Sequence, residues 1–162
     1  MFDHVAVVAA IGRGGFRRLK REGDGGTPVG RYRFLAAYYR RDRIPRPRIA
    51  LTLWPLRERD GWCDDPDAPL YNRPILRPST PSHETMMRAD RLYDLVLAID
   101  HNQRPRKRGG GSGIFVHLIR ENRGPTEGCL ALPLPVLRRL ARHVRPGSEI
   151  DFGAPPRPVR RR

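Results

Sequence analysis

The sequence predicts a single, mainly β domain with one or two short helices. Three observations carry that reading. Short apolar segments with β-branched and aromatic residues recur along the 162 residues, as strands require. Clusters of Gly, Pro, Asp and Asn interrupt them, and only two stretches have apolar residues at helical spacing. With 38% apolar residues the chain can bury a core, which excludes a disordered polymer despite 17 Pro and 16 Gly. No apolar run approaches the roughly 20 residues of a membrane-crossing helix.

Taken in order, Val5 to Ile11 reads as a strand buried on both faces, ended by Gly12 and the pair Gly14-Gly15. Asp3 stands where a signal peptide would carry positive charge, and no cleavage-like segment precedes Arg13, so no signal peptide is visible. Gly23-Asp24-Gly25-Gly26 is a turn, because consecutive glycines accept positive φ. Tyr32 to Leu35 and Ile49 to Trp54 read as short strands. Arg57 to Pro81, rich in Pro, Asp and Asn, reads as a long irregular surface loop. Ser82 to Leu92 has the marks of a short helix, with Ser82 as N-cap and Met86, Met87 and Leu92 for packing. Tyr93 to Ile99 is the clearest strand, and the basic loop Arg104 to Arg108 and three glycines follow it. Ile114-Phe115-Val116 forms another strand that delivers His117.

From Pro135 to Val144, Val136, Leu137, Leu140, Ala141 and Val144 fall at helical spacing, with Arg138, Arg139 and Arg142 opposite. Pro135 suits the first turn, and Pro146-Gly147 ends the helix. Ser148 to Phe152 is a last strand. The remainder, 154–162, is a basic Pro/Arg tail too poor in apolar residues to fold, so the domain is 1–153.

The chain carries 32 Lys+Arg against 17 Asp+Glu, a formal charge of +15. That excess invites a nucleic-acid reading. The basic residues are almost all Arg, only Lys20 and Lys107 being Lys, and they are spread over the whole length rather than gathered in a patch. Arginine-rich codon usage accounts for this as well as phosphate binding does, and net charge speaks to association rather than to chemistry. No HExxH or paired CxxC spacing is present, so no metal is expected. The glycines from 109 to 113 lack the Lys-Ser/Thr of a phosphate loop, and no cofactor is implied.

The two cysteines allow one disulfide at most, and the sequence does not say whether they meet. Cys63 lies among Asp64, Asp65 and Asp67, whose charge disfavours a thiolate, and reads as a structural thiol. Cys129 is different. In Thr126-Glu127-Gly128-Cys129-Leu130 a glycine lets the backbone approach a substrate, and neighbouring amides offer an oxyanion hole. His117 lies twelve positions earlier at a strand end, a spacing that permits a strand, a turn and a return to one cleft. Taken separately, a buried Cys and a lone His each fit a structural role as well.

Three blocks together resemble the L,D-transpeptidase catalytic domain, the YkuD family, and its compact single-domain proteobacterial members. They are Gly23 to Tyr32 with Thr27-Pro28-Val29-Gly30, then Tyr93-Asp94-Leu95-Val96 through Asn102, then Gly111 to His117 leading to Thr126 through Leu132. They stand in the family's order and extend from about Ile11 to Phe152. The resemblance implies a β-sandwich-like fold with Cys129 as nucleophile, His117 as general base, Gly128 and Cys129 as oxyanion-hole amides and Thr126 in the motif's Ser/Thr position. It implies cleavage of a peptide bond in a peptidoglycan stem, a thioester on the cysteine, and transfer of the acyl group to an amine on a neighbouring stem, in the periplasm or cell envelope. Two departures stand out: Glu127 replaces the family's usual His and changes the charge beside the thiol, and the His-to-Cys interval is shorter than in many members.

Stem peptides carry free carboxylates, and guanidinium groups hold these in bidentate fashion. Arg120 and Arg123, between the His and the Cys, are the candidate substrate-binding residues, and Tyr93 lines or braces the site; Arg40, Arg41 and Arg43 are weaker candidates. His83-Glu84 resembles a recurring element of the compact members and receives no chemical role. Two other readings stay open: a carboxypeptidase in which water is the acceptor, and a polyanion binder resting on the charge and the tail arginines. Peptidoglycan stem peptides are the expected partner, with no nucleic acid; the oligomeric state is not legible.

Overall fold

The computed structural model describes residues 6–153; Val5 and the expected tail lie outside the described residues. Eleven strands and one helix occur among them: β1 (Phe16–Arg17), β2 (Thr27–Pro28), β3 (Gly30–Tyr39), β4 (Leu53–Pro55), β5 (Asp60–Cys63), β6 (Pro74–Leu76), β7 (His83–Thr85), β8 (Leu95–Ile99), β9 (Phe115–Leu118), β10 (Leu130–Leu132), α1 (Leu134–His143) and β11 (Glu149–Phe152). The fold is mainly β, as expected.

The central sheet has the order β10-β9-β8-β3-β11, with β4 also on β3. β8 is its middle, and all five of its residues are buried. Successive side chains of a strand point to opposite faces, and the two faces of β8 enter different cores. Leu95, Leu97 and Ile99 pack with Val116, Leu118 and the helix residues Leu137, Ala141 and Val144. Val96 and Ala98 pack with Trp62, Met86, Tyr93, Phe115 and Cys129. Helix α1 therefore covers one face. The three-stranded sheet β6-β5-β7 supplies Trp62 to the other, edge-on to Phe115 with ring centroids 4.9 Å apart.

Four expectations are corrected. Ala6 to Ala9 form no strand: Val7 and Val8 are 43% and 67% exposed, and the run touches the sheet only through Ala10, bridged to Ala131. Among the described residues, Ala6 to Ala9 have no strand paired beside them, so their hydrophobicity alone does not bury them. Arg57 to Pro81 is not an irregular loop, because it contains β5 and β6, paired from Asp60↔Leu76 to Trp62↔Pro74. Ser82 to Leu92 is not a helix. His83 to Thr85 pair with β5 instead, and Met86 is buried by a bend rather than by a helical face. Of Ile49 to Trp54, only Leu53 and Trp54 join a strand, β4. The second helix holds as Leu134–His143, with Pro in its first turn and Arg142 and His143 in its last.

Candidate active site

β9 and β10 are parallel, with Leu130↔Val116 and Ala131↔His117 in register. Extending that register one residue back sets Cys129 beside Phe115. The period of two then puts Phe115, His117 and Cys129 on one face, away from α1. The contacts agree: the Phe115 N–H donates to Cys129 Sγ at 3.3 Å, and the thiol donates to the Gly113 carbonyl at 3.2 Å.

The turn before the cysteine is held from inside and outside. The buried Thr126 hydroxyl donates to the Cys129 carbonyl at 2.6 Å and accepts the Gly128 N–H at 3.1 Å. Gly128 sits at φ +135, and a Cβ there would lie 2.8 Å from the Gly26 carbonyl oxygen, so only glycine fits. Thr27, fully buried, ties the first sequence block to this turn: its hydroxyl donates to the Gly128 carbonyl at 2.9 Å and accepts the Gly12 N–H at 2.8 Å. Backbone bonds from Arg13 to Thr126 and from Thr126 to Ile11 complete the clamp.

Cys129 and His117 line one cavity of about 370 Å³, together with Thr126, Tyr93, Glu84 and Arg88. His117 is 4% exposed and its Nδ1 lies 2.7 Å from the Leu118 carbonyl oxygen. A carbonyl can only accept, so Nδ1 carries the proton and the neutral ring keeps its lone pair on Nε2. The edge of Tyr93 packs on the imidazole, centroids 5.3 Å apart. Tyr93 is itself held by a 2.6 Å bond from its hydroxyl to Glu84 Oε1 and by the Arg88 guanidinium over its ring.

Burial pushes the Cys129 thiol up to about 12, with the Glu84 carboxylate adding to the effect and the Phe115 N–H opposing it. Burial brings His117 down to about 4; its Leu118 hydrogen bond opposes this, and Arg88 and Arg120 reinforce it. The resting pair is consequently thiol and neutral imidazole, not an ion pair.

The structure brings Cys129, His117, Gly128, Thr126 and Tyr93 together, and Arg120 reaches the same cavity. Arg123 does not; it sits on an exposed turn at φ +54. Arg40 and Arg43 brace the chain from Arg88 to Asp90 by hydrogen bonds to its carbonyls. Glu127 points outward, 70% exposed, and pairs with Arg13 at 3.0 Å; the carboxylate that faces the thiol is Glu84. Glu84 and Arg88 are cavity residues that the sequence reading did not assign. The only signal for them was the His83-Glu84 element. Cys63 is buried and unpaired, as is Cys129 in the resting fold. Among the described residues no group of three His, Cys, Asp or Glu side chains is arranged to hold a metal, and no helix is long and apolar enough to cross a membrane.

A mainly β domain that sets a cysteine and a histidine in one cleft, with the Gly128-Cys129 turn clamped from an N-terminal Thr-Pro segment, defines the class. The family model of the L,D-transpeptidase catalytic domain, YkuD, matches residues 4–155, and the chain belongs to that family. No curated protein matches, and no solved structure matches.

Proposed function

We propose that the protein is a peptidoglycan L,D-transpeptidase of the cell envelope that works through a thioester on Cys129. The observation that carries the proposal is the shared face and cavity of Cys129 and His117, with the imidazole tautomer set by the Leu118 carbonyl. As Sγ attacks the stem-peptide carbonyl, His117 Nε2 accepts the thiol proton, and the carbonyl oxygen becomes an oxyanion. The Cys129 N–H, which makes no hydrogen bond among the described residues, is the first donor to it. The Gly128 N–H joins when it leaves Thr126 Oγ1.

Collapse of that intermediate breaks the peptide C–N bond, and the departing amine takes the proton from His117. The acceptor amine then attacks the thioester: its C–N bond forms, the C–S bond breaks, and His117 relays the amine proton to Sγ. Arg120 holds a substrate carboxylate at the cavity wall, and Tyr93 keeps the imidazole in place.

Muropeptide product analysis tests the assignment. Wild-type protein should convert purified monomers into cross-linked dimers. Trimmed monomers without dimers would make water the acceptor and the protein a carboxypeptidase, and no product, together with salt-sensitive polyanion binding, would favour the non-enzymatic reading.

A further inference from the structure

Glu84 is an electrostatic oddity in this cleft. A carboxylate beside a nucleophilic thiol works against thiolate formation, yet nothing in the fold needs both of its oxygens. Oε1 is committed to Tyr93, 2.6 Å away, with Arg88 at 3.5 Å. The Arg88 fork is chiefly occupied by Asp90, at 2.7 Å and 2.9 Å. Oε2 makes no hydrogen bond among the described residues. It lies 3.5 Å from the point where a side chain on Gly113 would begin, and the Gly113 carbonyl is the group that holds the thiol. A fixed, half-open carboxylate oxygen therefore faces the space beside the nucleophile. On the same cavity wall, Asp64 has a carboxylate oxygen that is out of solvent and without a partner.

We propose that Glu84 Oε2 is the docking point for a primary ammonium group of the acceptor, and that an occupied site both selects amine over water and removes the opposing field on Cys129. The proposal rests on the acyl-transfer reading of this cavity. An ammonium donates to an acceptor-only carboxylate oxygen with charge assistance, whereas water and hydroxyl groups gain much less there; one ammonium proton passes to Oε2 and frees the lone pair for attack, and the second is the one His117 relays to Sγ. With the carboxylate neutralised, Lys20, Arg88 and the Phe115 N–H act on the thiol without the carboxylate's opposition, and Tyr93 remains as the nearby neutral hydroxyl. Burial raises the Glu84 carboxyl above its ordinary range; the Tyr93 hydrogen bond and Arg88 oppose this, and Asp64 and Asp90 add to it. Reactivity is thus tied to the presence of a cation of the acceptor's kind.

The test uses the full chain and two probes of one shape, glycinamide with its ammonium and glycolamide with a hydroxyl, at matched ionic strength. Thiol reactivity is read as the iodoacetamide alkylation rate of Cys129 across pH. Glycinamide should raise the wild-type rate at neutral pH by about tenfold, one unit of thiol pKa, and glycolamide should not. Glu84→Gln should start from a higher rate and lose the response, while Tyr93→Phe, which keeps the carboxylate, should retain it. Equal effects of the two probes on wild type, or a full glycinamide response in Glu84→Gln, would overturn the proposal. With muropeptides, Glu84→Gln should shift products from dimers toward hydrolysed monomers. Absence of any turnover by the wild type would refute the acyl-transfer reading, whereas the alkylation arm decides the ammonium site independently.

Discussion

At the residue scale the decisive feature is that the proposed nucleophile, Cys129, and its proposed base, His117, are both neutral at rest. A thiol pushed up to about 12 and an imidazole held down to about 4 stay un-ionised beside each other in the free protein. Alkylation of the free protein should therefore be slow at neutral pH and rise tenfold per pH unit through the alkaline range, as the thiolate fraction does. An alkylation rate already flat above pH 7 would contradict this. The histidine also ties stability to acidity. Its folded pKa of about 4 lies below the ordinary 6.5, so the unfolded chain binds the proton first, and stability falls as pH drops from 6.5 toward 4, by roughly 3 kcal/mol from this group. His117→Gln should flatten that part of a denaturant-stability profile and lower turnover by about 10²–10⁴. Cys129 and His117 were legible because a Gly-Cys turn and an apolar strand ending in His are local patterns. Glu84 and Arg88 were not, because their place in the cavity depends on how residues 57–92 fold.

Between elements, the Thr27 hydroxyl is the joint on which the nucleophile turn depends. It bridges Gly12 and the Gly128 carbonyl with no exposure to solvent. Thr27→Val keeps the shape and leaves two buried backbone groups unpaired, so it should cost about 1–3 kcal/mol, measured as a shift in denaturant midpoint, and should reduce turnover in proportion to the loosened turn. An unchanged midpoint would mean that the clamp is not needed. The strands at 95–99 and 115–118 and the helix at 134–143 could be read from the sequence because the strands are short continuous apolar runs buried on both faces and the helix carries an apolar stripe at helical spacing. The sheet β6-β5-β7 could not. Its strands are three or four residues long, include Pro74 and charged residues, and are held by pairing that no local pattern announces. Met86 and Leu92 produced a false helical spacing because a bend and a turn of the chain, not a helix, bury both in the cluster that holds Trp62 and Tyr93.

On the scale of the whole molecule, charge and cleft differ in sign. The chain carries +15, whereas the cavity is lined by the carboxylates of Glu22, Asp64 and Glu84, with the exposed Glu127 at its rim, and by the guanidinium groups of Arg88 and Arg120. The outer positive field suits adhesion to an anionic wall, and the cavity suits a substrate with groups of both signs. Binding to purified sacculi should weaken steeply as salt shortens the screening length from about 10 Å at 0.1 M to about 3 Å at 1 M, and Cys129→Ala should bind as the wild type does; salt-insensitive binding would assign adhesion to another cause. The central claim is the thioester, and intact-protein mass spectrometry after incubation with muropeptide monomers tests it most directly. A stem-peptide adduct that maps to Cys129 and is released by hydroxylamine is expected, absent from Cys129→Ala together with all dimers. Dimers formed by a folded Cys129→Ala protein, or an adduct on another residue, would contradict it.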